Sequence, residues 1–133
     1  MRILLVEDNP ADVYLIEEAL KTHHLRFELE WMSDGEQAVA CLSRIAEQGS
    51  PPDLILLDLN LPRVDGKEVL ARARAIPRLK DTLVAILTSS DSPADRRDTA
   101  ALGANCYIKK PPTLDEFLSI GGIIKELLST AHV

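Results

Sequence analysis

The chain opens with a short continuous apolar run, RILLV (2–6), of the kind that a strand buried on both faces requires. It ends in two acids, Glu7 and Asp8. Asn9, Pro10 and Asp12 then supply an N-cap, a proline at the first helical position and a first-turn carboxylate. The pattern predicts a helix over about 10–22, with Val13, Ile16, Ala19 and Leu20 facing the core. FELEW (27–31) alternates apolar and charged positions, as a half-covered strand at a sheet edge would. Ser33-Asp34-Gly35 opens a second helix, whose Ala38, Val39, Leu42 and Ile45 share one face, and the breakers Gly49-Ser50-Pro51-Pro52 stop it.

LILLD (54–58) is the most apolar run and predicts a central strand closed by Asp58. After the turn-forming segment NLPRVDG (60–66), the pattern predicts a helix over about 66–75, a strand LVAIL (83–87), a helix from Pro93 to Leu102, a strand around 105–109 and a final helix from about 113. Five strands alternating with five helices imply an α/β fold, a parallel sheet covered on both faces with right-handed crossovers. Such sheets bind ligands at the carboxyl ends of their strands. Those ends carry Glu7-Asp8, Asp58, Thr88-Ser89 and Lys109-Lys110-Pro111, all on one rim.

Length and charge narrow the possibilities. A chain of 133 residues is one domain's worth and buries a core without disulfide or metal staples. With 15 basic against 21 acidic residues the net charge is −6, and no basic stripe appears, which argues against nucleic-acid binding. No apolar stretch approaches the roughly 20 residues of a membrane span, so the expectation is a cytoplasmic protein. Cys41 and Cys106 lack CxxC spacing and read as packed thiols, and His23, His24 and His132 form no metal-ligand pattern and read as surface residues.

Three carboxylates gathered at about 5 Å repel by roughly 3 kcal/mol per pair at an effective dielectric near 20, so a positive partner must compensate them. Oxygen ligands without imidazole or thiolate select a hard cation. A small cluster that leaves room for water and phosphate suits Mg²⁺, with Mn²⁺ as a substitute, better than a Ca²⁺ cage. A lysine adds a mobile point charge for a phosphoryl oxygen, and a hydroxyl adds a donor. Together these are the equipment for accepting a phosphoryl group as an acyl phosphate, with Asp58 as the nucleophile. Any one strand-end acid is ordinarily a solvated polar terminus. Four ends with complementary chemistry argue for a site.

The runs LLVEDNPAD (4–12), DLILLDLNLPRVDG (53–66), ILTSSD (86–91) and GANCYIKKPP (103–112) resemble the receiver domain of two-component response regulators over nearly the whole chain. The resemblance implies a doubly wound, flavodoxin-like (βα)5 fold with strand order 2-1-3-4-5. It implies phosphorylation of Asp58 by a sensor histidine kinase, with Mg²⁺ held by Asp8, Asp58 and the backbone carbonyl of Asn60, and with Glu7 bonding through water. Thr88 and Lys110 would contact the phosphoryl group, and Tyr107 matches the family's switch aromatic. The family's lysine directly precedes a proline, which selects Lys110 over Lys109 and implies a cis Lys110–Pro111 bond. VEDNPAD, the long 49–52 connection and the double proline look most like the small regulators paired with bacterial phytochromes.

Two rival classes are weaker. A phosphohydrolase of the haloacid dehalogenase type would need a second acid two residues after its nucleophile, where this chain has Asn60. A phosphorylation-independent interaction module on the same fold would be expected to lose the acid pair, Asp58 or the lysine, and all are present. Because little sequence follows the last helix, the expectation is a single receiver domain over 1–133 without an output domain, whose output is a contact with a downstream protein. Along 114–128 the apolar residues cover about 220° of a helix at 100° per residue, more than one buried stripe needs. That surplus predicts a homodimer through the fourth helix, fifth strand and final helix, while Gly121-Gly122 offers either a kink or close backbone approach.

Overall fold

In a computed structural model describing residues 1–131, five parallel strands lie in the order β2-β1-β3-β4-β5. They are β1 (Arg2–Val6), β2 (Glu28–Met32), β3 (Leu54–Leu57), β4 (Leu83–Thr88) and β5 (Cys106–Lys109). The helices are α1 (Pro10–Thr22), α2 (Gly35–Glu47), α3 (Gly66–Arg74), α4 (Pro93–Leu102), α5 (Leu114–Leu118) and α6 (Ile120–Ala131), with one 3₁₀ turn at Pro77–Leu79. β3 is buried at every position, and β2, on the sheet edge, buries only Met32 fully. Hydrophobic alternation was therefore a correct guide to strand position.

Two apolar cores flank the sheet. One joins Leu4, Val6, Ile55, Leu57, Val84 and Ile86 to α2 and α3. The other joins Ile3, Leu5, Leu54, Leu56, Ala85 and Leu87 to α1, α5 and α6. Alternate residues of each strand go to opposite faces, as a strand's two-residue period demands. The caps are the expected ones: Asn9 accepts a hydrogen bond from the Ala11 amide at 3.0 Å, and Asp34 one from Gln37 at 2.8 Å. Cys41 is buried and Cys106 half-buried, both as free thiols. Among the described residues no helix is long and apolar enough to cross a membrane. His132 lies outside the described residues.

The final helix departs from expectation. It is broken at Ser119, whose hydroxyl turns back to the Glu116 carbonyl at 2.5 Å, and a second helix starts at Ile120. The glycine pair just beyond the break serves close packing: a Cβ at Gly121 would overlap the Ala19 carbonyl of α1, and the His23 ring lies against both glycines. His23 is thus half-buried packing rather than a free surface residue. Phe117, Ile120, Ile124 and Leu128 are buried against this protein's own core, and among the arc's residues only Leu114 and Ile123 remain exposed. Most of the 220° arc is satisfied within one chain, because the break and the glycines let α6 settle onto α1.

Gly121→Ala should lower unfolding stability by about 1–3 kcal/mol despite alanine's better helix propensity, because the added methyl meets backbone rather than a yielding side chain. Gly122→Ala, whose methyl would meet only the His23 ring at 3.2 Å, should cost less. Urea denaturation of the two variants checks the order.

Candidate functional site

The sheet register brings the chemistry together. β1 and β3 pair from Ile3↔Leu54 to Val6↔Leu57, so the residues that follow, Glu7 and Asp58, leave the sheet side by side, and the Asp58 amide bonds the Val6 carbonyl at 3.0 Å. β4 pairs with β5 as far as Thr88↔Lys109, and the Lys110 amide still bonds the Thr88 carbonyl at 2.7 Å, which delivers the Lys110 side chain to the same rim. Glu7, Asp58 and Thr88 are all buried, at 1%, 5% and 0% exposure, whereas Asp8 is exposed.

Lys110 is the only cation that an ion pair brings to this cluster among the described residues. Its Nζ lies 2.5 Å from Glu7 Oε1, 2.8 Å from Asp12 Oδ2 and 3.1 Å from Asp58 Oδ2. Lys109 instead points away to Asp91 at 3.5 Å, so the choice between the two lysines fell on the one that reaches the carboxylates. The expected cis Lys110–Pro111 bond is a correction: the described residues contain no cis peptide bond. The trans form is favoured by about 0.5–1 kcal/mol for a bond preceding proline. Since Lys110 reaches the carboxylates with the trans bond, nothing in its placement requires the cis turn.

Burial and charge set the protonation states. Burial pushes the Asp58 carboxyl up, but the Lys110 ammonium, the Thr88 hydroxyl and the Asn60 amide, 3.3 Å from Asp58 Oδ1, outweigh it and leave its pKa below the usual carboxylate value. Asp58 is therefore an ionised carboxylate at neutral pH. Glu7 goes the other way: desolvation raises its pKa to about 7, against the pull of Lys110 and the Asn9 amide at 3.2 Å. Lys110 is held protonated, because its carboxylates outweigh its own burial.

Glu7, Asp8 and Asp58 each offer an oxygen within 4.8 Å of the others. Two are buried and one opens to solvent, and none of the donors is nitrogen or sulfur, so the set fits a hard divalent cation that keeps water ligands. Asn60, exposed at the head of the β3–α3 loop, donates its amide to Asp58. That loop is seated tightly: a Cβ at Gly66 would overlap the Asp58 carbonyl, and Arg63 adopts a left-handed φ of 73°. The first turn of α3 must therefore begin with a residue lacking a side chain.

Tyr107 is half-buried, its hydroxyl donating to the Ser90 carbonyl at 2.9 Å, two residues beyond Thr88, with the Arg96 guanidinium 4.5 Å from its ring centroid. The Ser90 amide in turn donates to Thr88 Oγ1 at 3.3 Å, and Ser90 Oγ meets Asp95 at 2.5 Å. Sequence reasoning overlooked three participants: Asp12, read only as a first-turn acid; Trp31, whose Nε1 donates to the Glu7 carbonyl at 2.7 Å; and Lys67, paired with Asp95 at 2.7 Å and Asp98 at 3.0 Å. Only the four-residue step from Asp8 to Asp12 hinted at the first.

The model of the response regulator receiver domain matches residues 3–120. The chain belongs to that family. It is 45% identical over 131 residues to response regulator Rcp1 of Synechocystis, covering 96% of this chain and 89% of that protein. This receiver superposes on the phosphorylated cyanobacterial phytochrome response regulator RcpA with a TM-score of 0.87 at 43% identity, covering 97% of this chain and 94% of that one. The Mn²⁺-bound form of Rcp1 matches at 0.86 and 42%, covering 97% and 95%. The doubly wound fold, the strand order and the phytochrome-associated kinship that the motifs implied are all found.

Three substitutions test the candidate cation site through Trp31, the single tryptophan, which is bonded to a cluster residue. Asp8→Asn should weaken Mg²⁺ binding about tenfold or more, since it removes a full ligand charge. Lys110→Ala should tighten it several-fold, since it removes a competing cation, and Lys109→Ala should leave it within about twofold. Fluorescence titration with Mg²⁺ gives all three values.

Proposed function

We propose that this receiver accepts a phosphoryl group on Asp58 from a sensor histidine kinase in a Mg²⁺-dependent reaction, and signals through a phosphorylation-switched protein surface. The observation that carries this is the Asp58 carboxylate itself, ionised yet buried at the end of the central strand, with Lys110 at 3.1 Å and an acid cluster of cation-binding composition around it. An Asp58 carboxylate oxygen attacks phosphorus, and the bond from phosphorus to the donor nitrogen or oxygen breaks. The leaving group departs with the electron pair, taking up a proton according to its basicity.

The residues of this chain divide the work. Lys110 holds a point charge where negative charge gathers on the transferred group, and Thr88, on the last position of β4, presents a hydroxyl to it. Asp8 and Glu7, with Asp58 and the Asn60 carbonyl, would hold Mg²⁺ or Mn²⁺, which supplies charge neutralisation at the phosphoryl oxygens. Kinship with regulators described as phytochrome partners supports a bacterial phytochrome as the kinase. Movement of Thr88 would reach Tyr107 through Ser90, which both contact, and so alter the face made by α4, β5 and the final helix. A downstream protein binds that face; the apolar arc that suggested a homodimer through it is mostly covered by the chain's own core and lends the dimer little support. The protein is thus a phosphoacceptor that phosphorylates itself from small donors and slowly loses the group, rather than an enzyme acting on other substrates.

Asp58→Asn should abolish incorporation of label from acetyl phosphate and from a phosphorylated kinase, because an amide offers no nucleophilic anion. The parent's label should be lost in alkali and on treatment with hydroxylamine, as that of an acyl phosphate is. Retained label in the variant, or turnover of a generic phosphate monoester by the parent, would sink the assignment. Transfer from a panel of purified histidine kinases that includes a bacterial phytochrome identifies the donor.

A further inference from the structure

Lys110 has a third carboxylate partner that belongs neither to the cation cluster nor to the phosphoryl-accepting position. Resting on the reading of Asp58 as phosphoacceptor, we propose that Asp12 is a positioning residue, the fixed anchor that holds the Lys110 ammonium in line with the group being transferred.

A lysine ammonium has three donors, and here they meet three carboxylates from three elements: the end of β1, the first turn of α1 and the end of β3. Two of these partners change their chemistry when the site works. Asp58 becomes an ester of phosphorus, and Glu7 belongs to the set that fits a divalent cation. Asp12 alone stays a free carboxylate throughout.

The ordinary role of an acid in a helix's first turn is to cap it, and that role is already filled. Asn9 Oδ1 takes the Ala11 amide at 3.0 Å, and the Asn9 amide, which a capping box would give to the third helical residue, is taken by Glu7 at 3.2 Å. Asp12 instead turns toward the strand ends. The pair is largely out of water, with the Lys110 side chain 11% exposed and that of Asp12 19%, so solvent screens it far less than a surface pair. A flexible four-carbon stem that must present one charge at one place needs such a tether, and misplacement of a reacting group by about 1 Å can cost a hundredfold in rate.

The experiment compares phosphorylation by acetyl phosphate at saturating Mg²⁺ in the parent, Asp12→Ala and Asp12→Asn, and repeats Asp12→Ala in a Lys110→Ala background. Asp12→Ala should lower the rate at saturating donor about tenfold or more while leaving half-saturation within about twofold. The isosteric Asn, whose amide oxygen still accepts from the ammonium, should recover part of the loss. Without Lys110, removing Asp12 should change the rate less than about twofold, because a positioning residue has nothing left to position. Labelling of Lys110 by an amine reagent, read by peptide mass against Lys109, reports the anchor independently of phosphorylation and should accelerate several-fold in Asp12→Ala. An unchanged rate and labelling in Asp12→Ala, or an equal loss with and without Lys110, overturns the proposal. A parent that takes no phosphoryl group overturns the Asp58 reading instead, and the labelling comparison then still decides whether Asp12 holds Lys110.

Discussion

A single ammonium sits among three largely buried carboxylates, and the rest of the molecule is arranged so that this can happen. Gathering Glu7, Asp12 and Asp58 in a half-dry rim without a cation would set like charges against each other at several kcal/mol per pair. Lys110 offsets that repulsion, burial keeps the Glu7 pKa near 7 in spite of it, and the exposed Asp8 adds a further carboxylate beside it. The rim is thus built electron-rich and under-neutralised. That is the condition in which a divalent cation finds a ready site and an incoming phosphoryl group is met by charges already in place.

The parallel sheet is what makes the gathering cheap in conformational terms. Glu7, Asp58, Thr88 and Lys110 each stand at or just beyond the last hydrogen-bonded position of a strand, so their backbones are held by ladder bonds on one side and free to turn on the other, and only Asp12 comes from a helix. The Lys110 amide still bonds Thr88 and the Asp58 amide still bonds Val6. Rigid placement of this kind cannot come from loops alone, whose backbones lack a neighbour to fix them.

Much of this was legible before any coordinates. Runs such as RILLV and LILLD, ending in acids, announce both the buried strands and the rim they feed, and Asn9-Pro10 announces where α1 begins. The motifs also carried the choice of Lys110 over Lys109. What could not be read depends on distances between elements far apart in the chain. Asp12 is one turn into a helix, and nothing local says that the end of β5, 98 residues on, will place an ammonium 2.8 Å from it. The break at Ser119 is similar. Periodicity sees one apolar stripe from 114 to 128, but the packing of Gly121 against Ala19 decides that the stripe is used in two pieces. An arc that looks too wide for a single surface is satisfied by bending the helix that bears it.

The seating of α6 on α1 also gives α1 an unusual status. Its first turn carries Asp12 and its last turns carry Ala19 and, at the cap, His23, which the glycines of α6 clasp. The helix is a rod of about 20 Å, pinned at one end to the reactive rim and at the other to the C-terminal segment. The helix that carries the carboxylate beside Lys110 is thus the same one on which the C-terminal helix is seated, so the two ends of the chain's packing meet on a single element.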